Sequence, residues 1–155
     1  MKYLLIFLIS MVPLIELRGA IPVALGMGLD PVASYVTCVL ANMLPVPIIY
    51  FFARKVLIRG KDKKYIGKFF TFCLEKGERA GQKMVKAAGR GGLFVALMLF
   101  VGIPLPGTGA WTGALGASFL NMGFKSTVLS VSLGVIIAGI IMAVGSTGVF
   151  SMIGL

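Results

Sequence analysis

Apolar residues dominate this chain, and the interruptions between apolar runs define its predicted elements. Residues 3–15 and 23–29 form two short runs. The first has 13 residues and would span about 20 Å as a helix, short of a hydrocarbon core of about 30 Å. Asp30 and Pro31 then predict the start of a helix, and the run at 31–58 has 28 residues, enough to cross a membrane. The first third of the chain therefore predicts two short helices and one long one.

The same order returns in the second half of the chain. A short apolar run at 93–102 stops at IPLPGTG, a second short run follows, and 124–144 is long enough for another crossing. When GAIPVALG (19–26) is placed over GAWTGALG (109–116), five of the eight residues coincide. The pattern predicts a duplication within an all-α integral membrane protein.

A basic connector separates the two copies. Of the 15 Lys and Arg residues, 12 lie between Arg54 and Arg90, and the net charge is +10. Because Lys and Arg near membrane ends resist translocation, we expect residues 59–92 in the cytoplasm. Apolar positions recur at helical spacing among the lysines of KKYIGKFFTFCLEK, which is typical of an amphipathic helix at an anionic membrane surface. An ordinary solvated linker is the alternative.

We therefore predict one membrane domain, 1–155, in the cell inner (plasma) membrane: repeat 1 (1–58), the connector (59–92) and repeat 2 (93–155). Two topologies fit a cytoplasmic connector. In one, each short pair is a re-entrant helical hairpin and the halves are inverted copies, with a substrate site near the midplane. In the other, each short pair is one kinked crossing, which gives four crossings and parallel halves. Gly and Pro at both breaks, ELRGAIP (16–22) in the first pair and IPLPGTG (103–109) in the second, favour the hairpins.

Charge within the first break points to a transport site. Glu16 and Arg18 interrupt an apolar segment in IELRGAIPVALG, and ionisable residues at membrane depth mark substrate pathways or proton relays. Glu16 is the predicted proton acceptor. Arg18 is the predicted contact for an anion such as a phosphate, because its guanidinium presents a fixed fork of donors. A structural pair, or two side chains that reach the interface, is the alternative.

Other polar or aromatic residues are weaker candidates. Asp30 is more often a helix cap than a proton acceptor. Asn42 and Asn121 are more often packing or turn residues than substrate contacts. Trp111 is more often packing or an interface anchor than a cavity wall. Thr108 supplies the hydroxyl of the second break.

Composition excludes several classes of function. The chain has no His, five acidic residues and two cysteines, Cys38 and Cys73. Metal sites and catalytic acid–base sets are difficult to build from these residues, so we predict no enzyme, no catalytic residue, no metal and no cofactor. The basic residues lie between apolar segments and among aromatics, and we expect no nucleic-acid partner.

The segments IELRGAIPVALGMG and GIPLPGTGAWTGALGA resemble the two signature segments of the small multidrug export protein family, and the resemblance covers nearly the whole chain. That family is distantly similar to the DedA/VTT superfamily, for which paired re-entrant hairpins in inverted repeats are the expected fold. The resemblance implies transport or lipid scrambling and, for DedA proteins, recycling of undecaprenyl phosphate. It points to Glu16, Arg18, Gly19 and Pro22 in the first segment and to Pro104, Pro106, Gly107, Thr108 and Gly109 in the second.

One departure from the DedA pattern affects the predicted mechanism. DedA proteins carry an arginine in the second hairpin, whereas no charged residue lies between Gly91 and Phe124 here. A homodimer would supply two copies of Arg18. We predict a proton-coupled secondary transporter of an amphipathic or anionic lipid-phosphate-type substrate, with membrane lipids, protons and the transported molecule as partners. The alternatives are a four-helix antiporter of lipophilic cations and protons, and a membrane adaptor that transports nothing.

Overall fold

The computed structural model describes residues 1–13, 15–89, 91–105 and 107–154, apart from the side chains of residues 53, 54 and 57. Across these residues the chain is helical and contains no strand, which confirms the all-α prediction. The elements are α1 (Lys2–Met11), α2 (Glu16–Gly26), α3 (Pro31–Met43), α4 (Pro45–Ile48), a π-helical turn (Ile49–Ala53), α5 (Arg54–Gly60), α6 (Gly67–Ala88), α7 (Leu93–Gly102), α8 (Ala110–Phe119) and α9 (Phe124–Ile153).

Two helical stretches are long and apolar enough to cross a membrane. They are Pro31–Phe52, with a mean hydropathy of 1.8, and Phe124–Ile153, with 2.5. The first is interrupted by two prolines and the π-helical turn, since proline removes a backbone donor from the helix. The mean hydropathy of +1.00 over the whole chain and these two stretches together favour a membrane protein.

Each pair of short helices folds back on itself as a helical hairpin. Lys2 Nζ lies 3.5 Å from the carbonyl oxygen of Met27, although the two residues would be about 37 Å apart along a continuous helix. In the second pair, a Cβ built on Gly113 of α8 would lie 2.7 Å from Val101 and 3.1 Å from Leu97 of α7. In the first hairpin the start is therefore close to the end, and in the second the start of α8 packs against the last turns of α7.

The two hairpins open towards opposite ends of the long helices. The open end of the first lies near the C-terminal part of α9, where a Cβ on Gly26 would be 3.6 Å from Phe150. The open end of the second lies near the π-helical turn, because Ser118 Oγ donates to the carbonyl of Tyr50 at 3.1 Å. The Tyr35 hydroxyl donates to the Ile136 carbonyl at 3.2 Å, which fixes α3 beside the middle of α9.

α2 and α8 end with the same cap. Gly28 (φ +69°) and Asn121 (φ +52°) follow the last turn in the left-handed conformation. The next residue in each case donates its N–H to a carbonyl five residues earlier, at 3.1 Å. These two caps are 93 residues apart, not the 90 of the sequence alignment. Accordingly, Gly19 lies inside α2 while Gly109 precedes α8, so those two glycines are not equivalent.

The connector forms one 22-residue helix, α6, which packs against the second hairpin. Its buried residues include Gly77, Gly81 and Met84. A Cβ on Gly81 would be 3.4 Å from the carbonyl oxygen of Gly116 in α8, so small residues allow a close approach of the two helices. The N-terminal part of α6 does not take part in this packing, and Phe69 remains 56% exposed.

Candidate functional site

The two breaks contact each other, and Glu16 and Gly109 are buried where they meet. Trp111, at the start of α8, donates its indole N–H to the carbonyl of Met11 at 3.2 Å, and Met11 is the last residue of α1. This hydrogen bond joins the end of α1 to the start of α8. The prediction that ELRGAIP interrupts the helix is wrong, because these residues form the first part of α2, which begins at Glu16. Glu16 and Arg18 extend the junction from the first turn of that helix.

Glu16 binds the N-terminus of α8. Its carboxylate accepts the backbone N–H of Trp111 at 3.1 Å and that of Ala110 at 3.3 Å. The first N–H groups of a helix have no partner within the helix and carry partial positive charge, so a carboxylate stabilises them. Glu16 is 5% exposed and has a φ of +51°. The left-handed backbone directs this side chain from the start of α2 to the start of α8.

The absence of a side chain at Gly109 makes room for the Glu16 carboxylate. A Cβ on Gly109 would lie 2.7 Å from both Cδ and Oε1 of Glu16 and closer still to Oε2. The φ of Gly109 is +152°, a conformation that L residues rarely adopt. The residue before α8 must therefore be glycine for two reasons: its backbone conformation and its contact with Glu16.

Arg18 binds the opposite side of the second break. Its Nη2 donates to the carbonyls of Val101 and Ile103, both at 3.3 Å, and its Nη1 donates to the carbonyl of Leu105. The last carbonyls of a helix carry partial negative charge, and a guanidinium is a favourable partner for them. Arg18 therefore caps the C-terminus of α7, two residues along α2 from Glu16, which caps α8.

The two charges do not form an ion pair with each other. Among the described residues, the salt bridge within 4.0 Å is between Arg79 and Glu75 on the surface of α6. Glu16 and Arg18 instead neutralise two helix ends that face the same loop, 103–109. We predicted Arg18 as an anion contact, but the structure gives its guanidinium three carbonyl acceptors.

The other predicted residues of the second break shape this loop. Thr108 Oγ1 donates to the carbonyls of Ile103 (3.0 Å) and Leu105 (2.8 Å). Pro104 is half-buried within the same turn, and Gly107 is exposed with a φ of +81°. Pro106 lies outside the described residues.

Lys76 of the connector also reaches this loop, and sequence reasoning missed it. Its Nζ is 3.3 Å from the position of a Cβ on Gly107, and it lies 5.2 Å above the centre of the Phe72 ring. The second hairpin has no charge of its own, but the packing of α6 supplies one. Nothing in the sequence distinguishes Lys76 from the other basic residues of the connector, because the contact depends on how α6 packs.

The remaining candidates lie elsewhere. Asp30 is exposed and caps α3 through the N–H of Ala33 at 2.7 Å, and Asn121 forms the end of α8. Asn42 is 1% exposed in α3, and its Oδ1 has no hydrogen-bond partner among the described residues. Pro22 lines an apolar cavity of about 410 Å³ beside α9. In the described part of the chain, no group of three His, Cys, Asp or Glu residues is placed to hold a metal ion.

A protein-family model described as "Putative small multi-drug export protein" matches residues 16–141. The matched segment begins at Glu16 and contains α2, the first spanning stretch, α6 and the second break, and it ends within α9. No curated protein and no solved structure matches the chain. The distant similarity to the DedA/VTT superfamily therefore has no support in these comparisons.

Proposed function

The chain belongs to the small multi-drug export protein family, and we propose that it is a secondary transporter that exports lipophilic cations in exchange for protons. The environment of Glu16 carries the proposal. Among the buried residues that the structure describes, Glu16 is the one with a charged side chain, and it lies where the two short helix pairs meet. A buried carboxylate of this kind is a binding group for a proton or for a cation.

The contacts of Arg18 favour a cationic substrate over an anionic one. A positive charge beside a cation site would repel the substrate if it were free. The guanidinium is directed at three carbonyls of the second break, so its charge is compensated locally. The same contacts weaken the prediction of an anionic lipid-phosphate substrate, which needs a guanidinium that is free to bind phosphate.

Proton and substrate exchange follows from the chemistry of one carboxylate. The ionised carboxylate binds the N–H groups of Ala110 and Trp111 and attracts a cation. Protonation removes the negative charge, so the cation is released and the bonds to α8 weaken. Because a proton and a cation cannot both neutralise Glu16, binding of one favours release of the other, as antiport requires.

The proposed topology is a pair of re-entrant hairpins that enter the plasma membrane from opposite faces, with α6 on the cytoplasmic side. It is supported by the fold-back of both short pairs and by their opposite open ends. Cysteines at the exposed positions Val32 and Lys125 test it, in a chain without Cys38 and Cys73. An impermeant maleimide added to intact cells should label position 32, and it should label position 125 only after lysis. Labelling of both in intact cells would contradict inverted hairpins.

Transport by purified protein in liposomes tests the proposed function. With a proton gradient, native protein should move tetraphenylphosphonium, and Glu16→Gln should abolish this movement because the amide cannot exchange a proton. Glu78→Gln, which removes an exposed carboxylate from α6, is the matched control and should be active. Equal transport by Glu16→Gln and native protein would refute the exchange mechanism.

The two rival functions give different results in the same liposomes. A transporter of anionic lipid should move a fluorescent phospholipid between leaflets and leave tetraphenylphosphonium where it is. A membrane adaptor should move neither. The predicted homodimer rested on the need for two copies of Arg18, and this reason is weaker now that the guanidinium has carbonyl partners. Crosslinking of the reconstituted protein tests it separately.

A further inference from the structure

We infer that the corner between α5 and α6 is a binding groove for the phosphate headgroups of anionic lipids in the cytoplasmic leaflet. The groove has a volume of about 370 Å³, and its lining includes Lys61, Lys63, Lys64 and Lys68 together with Phe72. It lies on the surface of the connector and is independent of the exchange proposed at Glu16. Four ammonium groups around one groove are a favourable environment for a phosphodiester anion.

The corner is held in shape by close backbone contacts. A Cβ on Gly67 would overlap the carbonyl oxygen of Lys61, and a Cβ on Gly60 would overlap the ring of Phe70. The N–H of Lys63 donates to the carbonyl of Gly60 at 3.1 Å, and the N–H of Gly67 donates to the carbonyl of Lys63 at 2.9 Å. The lysines therefore project from a fixed turn and not from a loose linker.

The positive charge of the groove is largely uncompensated. None of its four lysines has a carboxylate within 4.0 Å among the described residues. Two acids are close in the chain: Asp62 lies within the corner, and Glu75 lines the groove. Glu75 is 3.9 Å from Arg79, so its charge is shared with a cation on its own helix. The groove retains a net positive charge.

Exposed apolar side chains favour a lipid over a soluble anion. Tyr65 is 93% exposed, Phe69 56% and Phe72 47%, all beside the lysines. A site for a dissolved phosphate gains nothing from exposed aromatic rings. At a membrane surface, the rings insert among the lipid headgroups while the ammonium groups contact the phosphates.

The level of the groove relative to the membrane is also suitable. The first spanning stretch ends at Phe52, and α5 continues beyond it for seven residues to Gly60. Seven helical residues add about 10 Å. The polar headgroup layer is about 5 to 8 Å thick on each side, so the backbone of the corner lies just outside it and the long lysine side chains extend back to the phosphates.

Quenching of a fluorophore by brominated lipid tests the inference in the full-length protein. The probe is bimane on Tyr65→Cys, in a chain with Cys38 and Cys73 replaced by alanine, reconstituted in nanodiscs. One sample contains brominated phosphatidylglycerol in plain phosphatidylcholine, and the other contains the same fraction of brominated phosphatidylcholine in plain phosphatidylglycerol. We expect at least twofold stronger quenching by the brominated anionic lipid. Equal quenching overturns the inference.

Matched variants locate the effect in the groove. Lys61→Gln, Lys64→Gln and Lys68→Gln together should bring the ratio of the two quenching values to about one. Lys83→Gln, Lys86→Gln and Lys125→Gln remove the same number of charges from elsewhere on the cytoplasmic side and should leave the ratio at twofold. Equal loss in both variants would mean general attraction to the surface. That result overturns the inference.

Discussion

Replacement of Gly109 by alanine tests the contact on which the site depends. The new Cβ would lie 2.7 Å from Cδ of Glu16, about 1 Å closer than two carbon atoms pack. Gly109 is followed directly by the two N–H groups that Glu16 binds, so the backbone cannot move away without moving those donors. The carboxylate must therefore leave its position, and both hydrogen bonds are lost or lengthened.

The expected magnitude follows from those two bonds. A hydrogen bond to a charged group contributes about 1.5 to 3 kcal/mol, which gives an upper limit of about 6 kcal/mol for the pair. The displaced carboxylate recovers part of this from other donors, so we expect a loss of about 3 kcal/mol. A loss of this size corresponds to a population of intact sites that is about 100-fold lower. Transport by Gly109→Ala in liposomes should fall by a similar factor.

Gly107→Ala is the matched control for backbone strain. Gly107 also has a positive φ, of +81°, but the group nearest to its new Cβ is the flexible end of Lys76. An alanine with positive φ costs roughly 1 to 2 kcal/mol at position 107. The backbone of Gly109 (φ +152°, ψ −176°) is in a region that is essentially restricted to glycine and costs roughly 1 to 3 kcal/mol, so strain alone explains only part of a large difference between the two variants. Transport should therefore fall much less in Gly107→Ala than in Gly109→Ala.

A double-mutant cycle isolates the clash with the carboxylate. Free energies of unfolding in detergent mixtures would be measured for Gly109→Ala, Glu16→Ala and both together. Once the carboxylate is gone, the alanine at 109 has nothing to displace, so the two losses should fall short of additivity by about 2 to 3 kcal/mol. Strictly additive losses would show that Gly109 and Glu16 act independently and would refute the reasoning.

Three further predictions concern the charge, packing and thiol chemistry of the fold. Arg18→Gln should lower the free energy of unfolding by about 2 kcal/mol because three carbonyls lose a cationic donor. Arg18→Lys should lose less of this free energy, since it keeps the charge. No change in either variant would contradict the capping role. Gly134→Ala should lower the melting temperature, since its Cβ would lie 2.7 Å from a carbonyl oxygen of α7, whereas Gly145→Ala on the same helix has open space and should not. Burial raises the pKa of the Cys73 thiol, and the charge of Lys76 opposes this shift. Maleimide labelling of Cys73 should therefore be slower than that of a free thiol at pH 7, become faster at higher pH, and become slower still in Lys76→Gln. Labelling as fast as that of a free thiol would contradict this.

Most of the elements follow from the sequence because their signals are local. The long apolar runs predicted both spanning stretches, and Asp30 with Pro31 predicted the start of α3 where it occurs. The Gly- and Pro-rich break at 103–109 predicted the interruption between α7 and α8. Each of these signals acts within a few residues, so one sequence is enough to read it.

The partners of the charged residues could not be predicted in the same way. Arg18 and Leu105 are 87 residues apart in the chain, and no pattern near Arg18 distinguishes a carbonyl acceptor from a phosphate. The register of the two halves was also misread, because GAIPVALG and GAWTGALG share small residues that serve different purposes. Gly19 lies within a helix, while Gly109 makes room for Glu16. Side-chain packing decides these points, and it appears only in three dimensions.

The separate attachment of the two charges has a mechanical consequence for transport. In the proposed exchange, protonation of Glu16 weakens the hold on α8, but Arg18 keeps its charge and continues to hold the end of α7. Relative movement of the two helices would then fall on the segment that joins them, where Gly107 and Gly109 lack a Cβ that would restrict the backbone. α8 packs on α6 through Gly116, so a shift of α8 would be passed to α6 through this close contact. The proposal therefore needs one carboxylate at the junction to couple its own protonation to a movement of α6.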